Sequence, residues 1–497
     1  MDASQVDFDV SPSNGAATRL VIARVGKEEA YRDKLDTDKA RAREDFARTL
    51  AKRLEVEPEP LVRRCDIELP MLADQADRAA AEQAAKIAGQ QEPENDPFAA
   101  SQRELEATPN SVKTEAQSLL ASPNLLEIIL RDIGRIGIAG ERQLALLIYL
   151  VGVSRLLDRP ISVLVQGSSS SGKSFVPEHV LSLFPSECWH FLTDVTPQSL
   201  FYLPPGELQH RVLLLGERKR AQTPEQIDGT RAIRELIETG RISKWVPIKL
   251  DGRLQTVHLQ IEGPTSVIQS ASHDLIADED VNRMVVVGPD ESAEQTKRIV
   301  ERIFSAAAGE APPEPLQTIQ LRHHTMQRLL RRHAVVIDQR LAEVLIEHFP
   351  TQRLEARRAA SRVVSLMQAA ALLHQFQRQT DSAGRLVATL DDYRLARALL
   401  NQWLGSRLGG GLSAGAMRLW RLAVERKQGE ELTTTELAEW TAAPARTVRR
   451  WATELVKAGL WEKNRTEGEK VNRYRPVPGR EPESTEVLPD IDFPMTA

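Results

Sequence analysis

Short runs of mainly apolar residues recur through the middle of the chain, and stretches of helical periodicity separate them. The runs lie at residues 161–165, 211–215 and 285–288, and the segment at 265–270, with Val267 and Ile268 among polar residues, is predicted as a further strand. Runs of this length that are rich in Val, Ile and Leu are typical of strands buried on both faces of a parallel sheet. Strands of this kind that alternate with helices predict an α/β core, which we place at residues 119–320.

The sequence before this core has a different pattern. Residues 1–90 form a charged, mainly helical N-terminal region, in which a short strand is predicted at 19–25. Apolar residues at helical spacing beneath a high density of charge predict solvated amphipathic helices at 31–54 and 74–86.

Three further segments complete the predicted organisation. Polar residues with closely spaced prolines and acids predict a linker at 91–118. Residues 321–408 show helical periodicity and predict an all-helical segment, and residues 411–478 predict a small separate domain. Prolines among acidic residues predict a disordered tail at 479–497.

A phosphate-binding motif follows the first predicted core strand. Residues 167–174 fit G-x-x-x-x-G-K-S, between the strand at 161–165 and a helix predicted from Phe175. In that setting backbone N–H groups wrap the phosphates of ATP, Lys173 contacts the β- and γ-phosphates, and Ser174 ligates Mg²⁺. The predicted ATP-binding residues are Gly167, Ser168, Ser169, Ser170, Ser171, Gly172, Lys173 and Ser174. The alternative is a Gly/Ser turn without a ligand.

The strand at 211–215 runs into Gly216 and Glu217, where many P-loop ATPases have Asp-Glu. Glu217 is suited to polarise the attacking water and to join Ser174 as a metal ligand. Gly216 has no side chain that could enter the metal's water network. The alternative is that Glu217 only ends a core strand.

Two later residues extend the predicted site. Ser270 ends the strand at 265–270, where its hydroxyl can contact the γ-phosphate. Arg283 precedes the strand at 285–288, from which it can reach the γ-phosphate of a neighbouring subunit as an arginine finger. A surface ion pair is the alternative for Arg283.

The sequence between these strands predicts a hairpin at residues 244–260, with Asp251-Gly252 as its tight turn. Lys249 and Arg253 flank that turn. They can contact a nucleic-acid backbone, or they can serve only to keep an exposed turn soluble.

The C-terminal segment predicts helix, helix, turn, helix and hairpin, which resembles a winged helix-turn-helix domain. Thr447, Arg449 and Arg450 would point outward from its third helix toward DNA. Residues 415–480 hold 14 Lys/Arg against 9 Asp/Glu, although the whole chain has a net charge of −5. A local positive excess suits phosphate contacts. The alternative is a domain that docks protein.

Composition narrows the class of protein. The chain has 497 residues, 41% of them apolar, which excludes a wholly disordered or fibrous protein. Two cysteines are too few for a disulfide framework. The longest apolar run, 144–153, is about half a membrane span. The first 20 residues lack a secretory core, so we expect a cytoplasmic protein without a membrane partner.

The order of these motifs resembles that of an AAA+ ATPase of the clade that holds MCM-type and superfamily III helicases. A closer resemblance is to the helicase-like modules of phage and plasmid DNA primase fusions. It rests on Gly140-Glu141, Tyr149-Leu150, residues 154–160, 232–236 and 240–243, and covers roughly residues 120–405.

The resemblance implies an AAA+ core with a helical lid at 321–408 and a hexameric ring with ATP and Mg²⁺ at the subunit interfaces. It implies Lys173, Ser174, Glu217 and Ser270 acting in cis and Arg283 acting in trans. Arg358 would be the second sensor on the lid. The hairpin tip with Lys249 and Arg253 would face a pore that holds single-stranded DNA, and duplex DNA would lie at the winged helix. A primase, if one is needed, would be another polypeptide, because no primase pattern is present in this chain.

These features predict an ATP-hydrolysing, ring-forming motor on DNA, a helicase of a phage, plasmid or other mobile replication module. An ATP-gated DNA-binding switch that hydrolyses little is the second hypothesis. A mobile-element or defence ATPase with a protein client is the third.

Overall fold

The computed structural model of this chain describes most of its residues. The described residues are 5–12, 18–89, 96–168, 170–193, 200–201, 203–218, 224–250, 253–272, 283–309, 313–351, 354–408, 412, 414–426, 431–441, 443–464, 472–480 and 487–491. The chain divides into two compact units. The first unit comprises residues 1–95, 201–205 and 243–261, and the second comprises 96–200, 206–242 and 262–497.

An antiparallel sheet and two helices begin the first unit. They are β1 (Val6–Val10), β2 (Arg19–Val25), β3 (Glu28–Leu35), α1 (Ala40–Leu54) and α2 (Pro58–Gly89). The predicted strand at 19–25 is confirmed, and the helix predicted at 74–86 lies within α2. The helix predicted from Tyr31 is wrong for residues 31–35, which belong to β3. A turn at Gly26 (φ +65°) lets this charged segment pair with β2.

The second unit begins with two helices where a linker was predicted, α3 (Pro97–Ala107) and α4 (Asn110–Leu120). The linker prediction is therefore wrong for these residues. Asp96 caps α3 by accepting a hydrogen bond from the Phe98 N–H at 2.9 Å. Ala116 and Leu120 of α4 are buried in the main core. Their burial orders a segment whose other residues are mainly polar.

The next helices are α5 (Leu125–Arg135) and α6 (Arg142–Ser154). Residues 144–154 of α6 are all buried, which explains why the longest apolar run of the sequence lies here. An all-apolar helix of this length packs at the centre of a core. Within the described part of the chain, no helix has both the length and the apolar character that a membrane span requires.

The core then alternates strands and helices as predicted. The elements are β4 (Val163–Gln166), α7 (Phe175–Leu181), β5 (Trp189–Leu192), β6 (Arg211–Arg218) and α8 (Pro224–Thr239).

A long hairpin follows α8, and most of it belongs to the first unit. Its strands are β7 (Arg241–Leu250) and β8 (Arg253–Glu262), which pair with each other. The hairpin predicted at 244–260 is confirmed. The predicted turn residues Asp251 and Gly252 lie outside the described residues.

The last core strands are β9 (Thr265–Ala271) and β10 (Val285–Val287). They complete a five-stranded sheet in the order β10-β4-β9-β6-β5, in which every described pairing is parallel. Val165 lies opposite Ser270, and Leu215 lies opposite Gln269. The predicted α/β class with a parallel sheet is confirmed.

The segment after the sheet is mainly helical, but it also contains strands. Its elements are α9 (Ala293–Ala307), α10 (Leu316–Leu329), β11 (Val335–Ile337), α11 (Gln339–His348), α12 (Ala356–Leu373), β12 (Leu386–Ala388) and α13 (Leu390–Leu408). β11 and β12 form a parallel pair, so the all-helical prediction for 321–408 is wrong there. Runs of three residues are too short to show a strand period.

The C-terminal elements form their own small core. They are α14 (Ala414–Arg426), β13 (Leu432–Thr433), α15 (Thr434–Thr441), α16 (Ala445–Lys457), β14 (Trp461–Asn464) and β15 (Arg473–Pro476). Val448, Trp451 and Leu455 of α16 are buried in this core. Thr433 and Glu436 exchange hydrogen bonds as a capping box at the start of α15.

Part of the tail that was predicted to be disordered packs against the second unit. Leu488 and Ile491 are buried in its main core, and the Val487 N–H donates to the Asn401 side chain at 2.9 Å. The prediction is wrong for 487–491, because two apolar side chains among the acids find a core surface. Residues 481–486 and 492–497 lie outside the described part.

A chain of buried polar side chains ties α5, α10 and α6 together. Asp132 Oδ2 lies 3.3 Å from His323 Nε2, and His323 Nδ1 lies 3.1 Å from the Tyr149 hydroxyl. The Gln327 amide donates to that hydroxyl at 3.1 Å, and Arg155 donates to the Gln327 carbonyl oxygen at 2.9 Å. Each buried group therefore has a partner, which is the condition for tolerating polar groups in a core.

Asp132 is the acidic member of this hydrogen-bonded network. Burial alone raises the pKa of its carboxyl, but the His323 hydrogen bond and nearby arginines, including Arg322 at 3.1 Å, outweigh it and lower the pKa to about 2. Burial lowers the pKa of His323, which therefore bonds as a neutral ring at pH 7.

We predict that Asp132→Asn lowers the free energy of unfolding of the second unit by about 3 kcal/mol at pH 7, because it leaves buried cationic partners uncompensated. Asp158→Asn is the matched control. Its carboxylate pairs with Arg332 but is 92% exposed, so we expect little change. Urea unfolding measures both.

The same variant tests the sign of the pH dependence. A carboxyl with a depressed pKa contributes stability above its unfolded pKa and loses it as the pH falls toward the folded value of about 2. The difference between wild type and Asp132→Asn is therefore constant from about pH 5 upward and shrinks below about pH 4. A difference that grows on acidification would contradict this assignment.

Candidate functional site

The loop at 167–174 joins β4 to α7 and turns tightly on itself. Ser170 (φ +66°) and Gly172 (φ +88°) have left-handed backbones. A Cβ at Gly167 would lie 2.4 Å from Ser171 Oγ, so a larger residue there would displace the Ser171 side chain. Ser171 Oγ is buried without a hydrogen-bond partner among the described residues. An unsatisfied buried hydroxyl in a concave loop suits a ligand that brings its own polar oxygens. Ser169 lies outside the described residues.

Four predicted residues meet at the carboxyl edge of the sheet. The Lys173 ammonium, which is buried, lies 3.2 Å from Glu217 Oε1 and donates to the Ser168 carbonyl at 3.4 Å. Ser174 Oγ lies 3.3 Å from Ser270 Oγ. β4, β9 and β6 are neighbours and run parallel, so their carboxyl ends deliver these side chains to one place.

The neighbouring strand explains sterically why residue 216 is glycine. A Cβ built on Gly216 would lie 2.4 Å from the carbonyl oxygen of Thr193, just after β5. β6 is also irregular between Leu215 and Arg218 in its pairing with β9. The backbone of residue 216 thus approaches β5 too closely for any side chain, and an Asp at this position would not fit.

The site fits a nucleoside triphosphate with a hard divalent cation. The loop offers N–H donors and the Lys173 ammonium to phosphate oxygens, and α7 begins directly after the loop. Ser174 and Glu217 supply oxygen atoms, the ligand type that Mg²⁺ prefers. Among the described residues, no group of three or more acidic, His or Cys side chains could hold a metal alone.

Two acidic residues that were not predicted as site residues tether the segment after β10, although the resemblance had already included Glu141. Glu291 accepts hydrogen bonds from the Ser168 N–H at 2.7 Å and the Ser168 hydroxyl at 3.1 Å. Glu141 accepts from the Asp290 N–H at 2.9 Å, and burial raises the pKa of Glu141 to about 7. Neither pairing had a sequence signal, because each joins residues more than 120 positions apart.

Arg283 and Arg358 meet on one carboxylate that was also missed. Glu238 of α8 lies 2.6 Å from Arg283 Nε through Oε2 and 2.9 Å from Arg358 Nη2 through Oε1. The bond from Arg283 contributes most to lowering the pKa of Glu238. Behind them Arg362 donates to the Arg283 carbonyl at 2.6 Å, and burial lowers the pKa of Arg362. The structure therefore brings together the predicted arginine finger, Arg283, and the predicted second sensor, Arg358.

The candidate DNA-binding residues have different outcomes. The side chains of Lys249 and Arg253 lie outside the described residues. Arg449 and Arg450 are exposed on α16 as expected. Thr447 is buried, so its predicted outward orientation is wrong. It lies four residues before Trp451 and therefore shares the helix face that packs into the C-terminal core.

Comparison with protein families independently identifies a P-loop domain in the part of the chain that holds this site. Residues 110–332 match the family model described as the MTBMA_p00010 P-loop domain. The match begins at α4, ends just beyond α10, and includes the phosphate-binding loop and all five strands of the parallel sheet. The core of the second unit is thus a P-loop domain.

Comparison with individual proteins adds less. A RuvB variant from Thermotoga maritima is similar over 70% of this chain and 93% of that chain, with 14% identity and a TM-score of 0.25. A TM-score this low does not establish a shared arrangement of the whole chain. The search of curated proteins gave no match.

We predict that Gly216→Ala lowers the stability of the P-loop domain by about 2 kcal/mol and weakens nucleotide binding, because the new methyl group collides with the Thr193 carbonyl. Gly134→Ala is the matched control, since a Cβ there meets nothing within 4 Å. Thermal unfolding and titration with a fluorescent ATP analogue measure the two effects. Unchanged stability and binding in Gly216→Ala would show that the close contact with the Thr193 carbonyl does not require glycine at residue 216.

Proposed function

We propose that this protein is an AAA+-type, ATP-hydrolysing, ring-forming motor that acts on DNA, of the replicative-helicase type found in phage, plasmid and other mobile replication modules. The observation that carries the proposal is the meeting of Lys173, Ser174, Glu217 and Ser270 at one edge of a parallel sheet in a P-loop domain. This set can bind a triphosphate and also position water for its hydrolysis.

Each residue has a distinct part in this proposal. The loop N–H groups and Lys173 bind the phosphates, and the Ser270 hydroxyl orients the terminal one. Ser174 and Glu217 would hold Mg²⁺, which when bound neutralises charge on the phosphate oxygens. Glu217 accepts the hydrogen bond of the attacking water. Its ion pair with Lys173 must therefore loosen when the phosphates take over the ammonium.

Assembly into a ring is supported by an exposed apolar face on α9. The exposed side chains are Ile299, Val300, Ile303 and Phe304, and Phe304 is 69% exposed. Apolar residues grouped on one exposed helix face mark protein contacts. In a ring, Arg283 would leave Glu238 to contact the γ-phosphate held by the next subunit. Arg358, on the lid, would act as the second sensor.

Contact with DNA is proposed at two places. The hairpin β7–β8, with Lys249 and Arg253 near its end, would face single-stranded DNA in the pore. The C-terminal domain would act as a winged helix that binds duplex DNA through Arg449 and Arg450, which lie exposed on α16. A primase or other replication protein would be a separate chain.

The second candidate is an ATP-gated DNA-binding switch with little hydrolysis, and one observation favours it. The Thr193 carbonyl excludes any side chain at residue 216, so the acidic residue common at this position in P-loop ATPases is sterically barred. A cytoplasmic mobile-element or defence ATPase with a protein client is the remaining alternative.

The test measures ATP turnover with and without single-stranded DNA for wild type, Lys173→Ala and Glu217→Gln. We expect DNA to stimulate the wild type. Lys173→Ala loses nucleotide binding, whereas Glu217→Gln still binds ATP but turns it over at least about 100-fold more slowly. Lys113→Ala, on α4, is the control for loss of a lysine outside the site. A wild type that binds ATP but turns it over no faster than the variants would contradict the motor and favour the switch.

A further inference from the structure

An exposed pair of aromatic rings lies across the hairpin β7–β8. Trp245 of β7 is 65% exposed, although its large aromatic ring is mainly apolar. Its ring centroid lies 4.5 Å from that of His258 on β8, with 30° between the ring planes. The two rings are thus in contact on the surface, with their planes inclined to each other.

The strand pattern shows that Trp245 lies on the polar face of the hairpin. Counting back from the strand ends at Leu250 and Arg253 places it directly opposite His258. Ile242 and Ile261, three residues away on their strands, are buried and lie on the other face. Trp245 is therefore not part of the face that this hairpin buries.

The chemistry of the hairpin indicates what such a ring would contact. Residues 241–262 contain four basic and two acidic side chains, namely Arg241, Lys244, Lys249 and Arg253 against Asp251 and Glu262. Arg241 and the polar Thr256 and Gln260 are exposed on the same face of the hairpin as the ring pair. A flat aromatic surface within a basic, polar strand pair matches a ligand that joins planar bases to phosphates. An apolar protein surface would leave these charges without partners.

We propose that Trp245, supported by His258, is a stacking platform for an unpaired base of single-stranded DNA. The inference rests on the proposed function for the identity of the ligand, and it adds a base contact to the phosphate contacts expected of Lys249 and Arg253. A base stacks on the exposed face of the indole without sequence preference, because every base has a π-face. The contact with His258 restricts the indole, so that less side-chain freedom is lost on binding.

The experiment compares binding of an oligo-dT strand with that of an abasic strand of equal length by fluorescence anisotropy, using the full-length chain. We expect wild type to bind oligo-dT more tightly. Trp245→Ala weakens binding to oligo-dT about tenfold and leaves binding to the abasic strand unchanged, so the preference disappears. Trp245→Phe, which keeps a ring, retains most of the preference. His258→Ala reduces it in part.

Two controls separate stacking from loss of the hairpin. Phe376→Ala removes a comparably exposed aromatic ring outside the hairpin and should change neither affinity. The salt dependence of oligo-dT binding should be the same in wild type and Trp245→Ala, since no phosphate contact is lost, whereas Lys249→Ala should make it shallower.

Equal wild-type affinity for the two strands would overturn the inference. So would an equal loss of affinity for both strands in Trp245→Ala, or no loss for either. A wild type that binds neither strand would instead refute the proposed action on DNA, because it shows no phosphate contact at all.

Discussion

The parallel pairing of β4, β9 and β6 is the constraint on which the rest of the site depends. Backbone hydrogen bonds place Val165 opposite Ser270 and Leu215 opposite Gln269, and the carboxyl edge of the sheet follows from that register. A slip of one residue in either pairing would turn Ser270 or Glu217 to the opposite face. Gly216 belongs to the same constraint, because β6 can pass Thr193 only where residue 216 has no side chain.

Charge is arranged differently in the interior and at the proposed subunit contact. Asp132 sits in a closed network whose buried members all have partners, which suits a fixed joint between helices. Glu238 is shared by Arg283 and Arg358 and is 40% exposed, so its ion pairs are screened by solvent and exchange readily. A shared, accessible carboxylate can hold two arginines in a free subunit and release them to a stronger anion.

Local patterns predicted the elements whose signals are themselves local. β2, four of the five core strands, the hairpin and the loop at 167–174 each lie within one short run of sequence, whereas β5 was not predicted. The grouping of Lys173, Glu217 and Ser270 was implied by the resemblance to AAA+ ATPases. The charged residues of β3, the helices α3 and α4, and the packing of Leu488 could not be read in this way. β3 is ordered by pairing with β2 across a short turn, whereas α3, α4 and Leu488 are ordered by partners distant in sequence.

The same limit applies to the site residues. Glu238 and Glu291 act through partners that only the fold brings near, and acidic residues on helices and loops are usually solvated. Thr447 was predicted to point outward because its neighbours are basic. Its position one turn before the buried Trp451 instead places it on the helix face that packs into the core.

The central claim is that ATP is hydrolysed at a site shared between two subunits, and mixing two inactive variants tests it most directly. Lys173→Ala lacks a working phosphate loop but keeps Arg283, and Arg283→Ala has the reverse defect. Mixed before assembly, they should recover up to about a quarter of wild-type turnover, the share of interfaces that random mixing makes competent. A mixture as inactive as either variant alone would show that Arg283 does not act across a subunit interface.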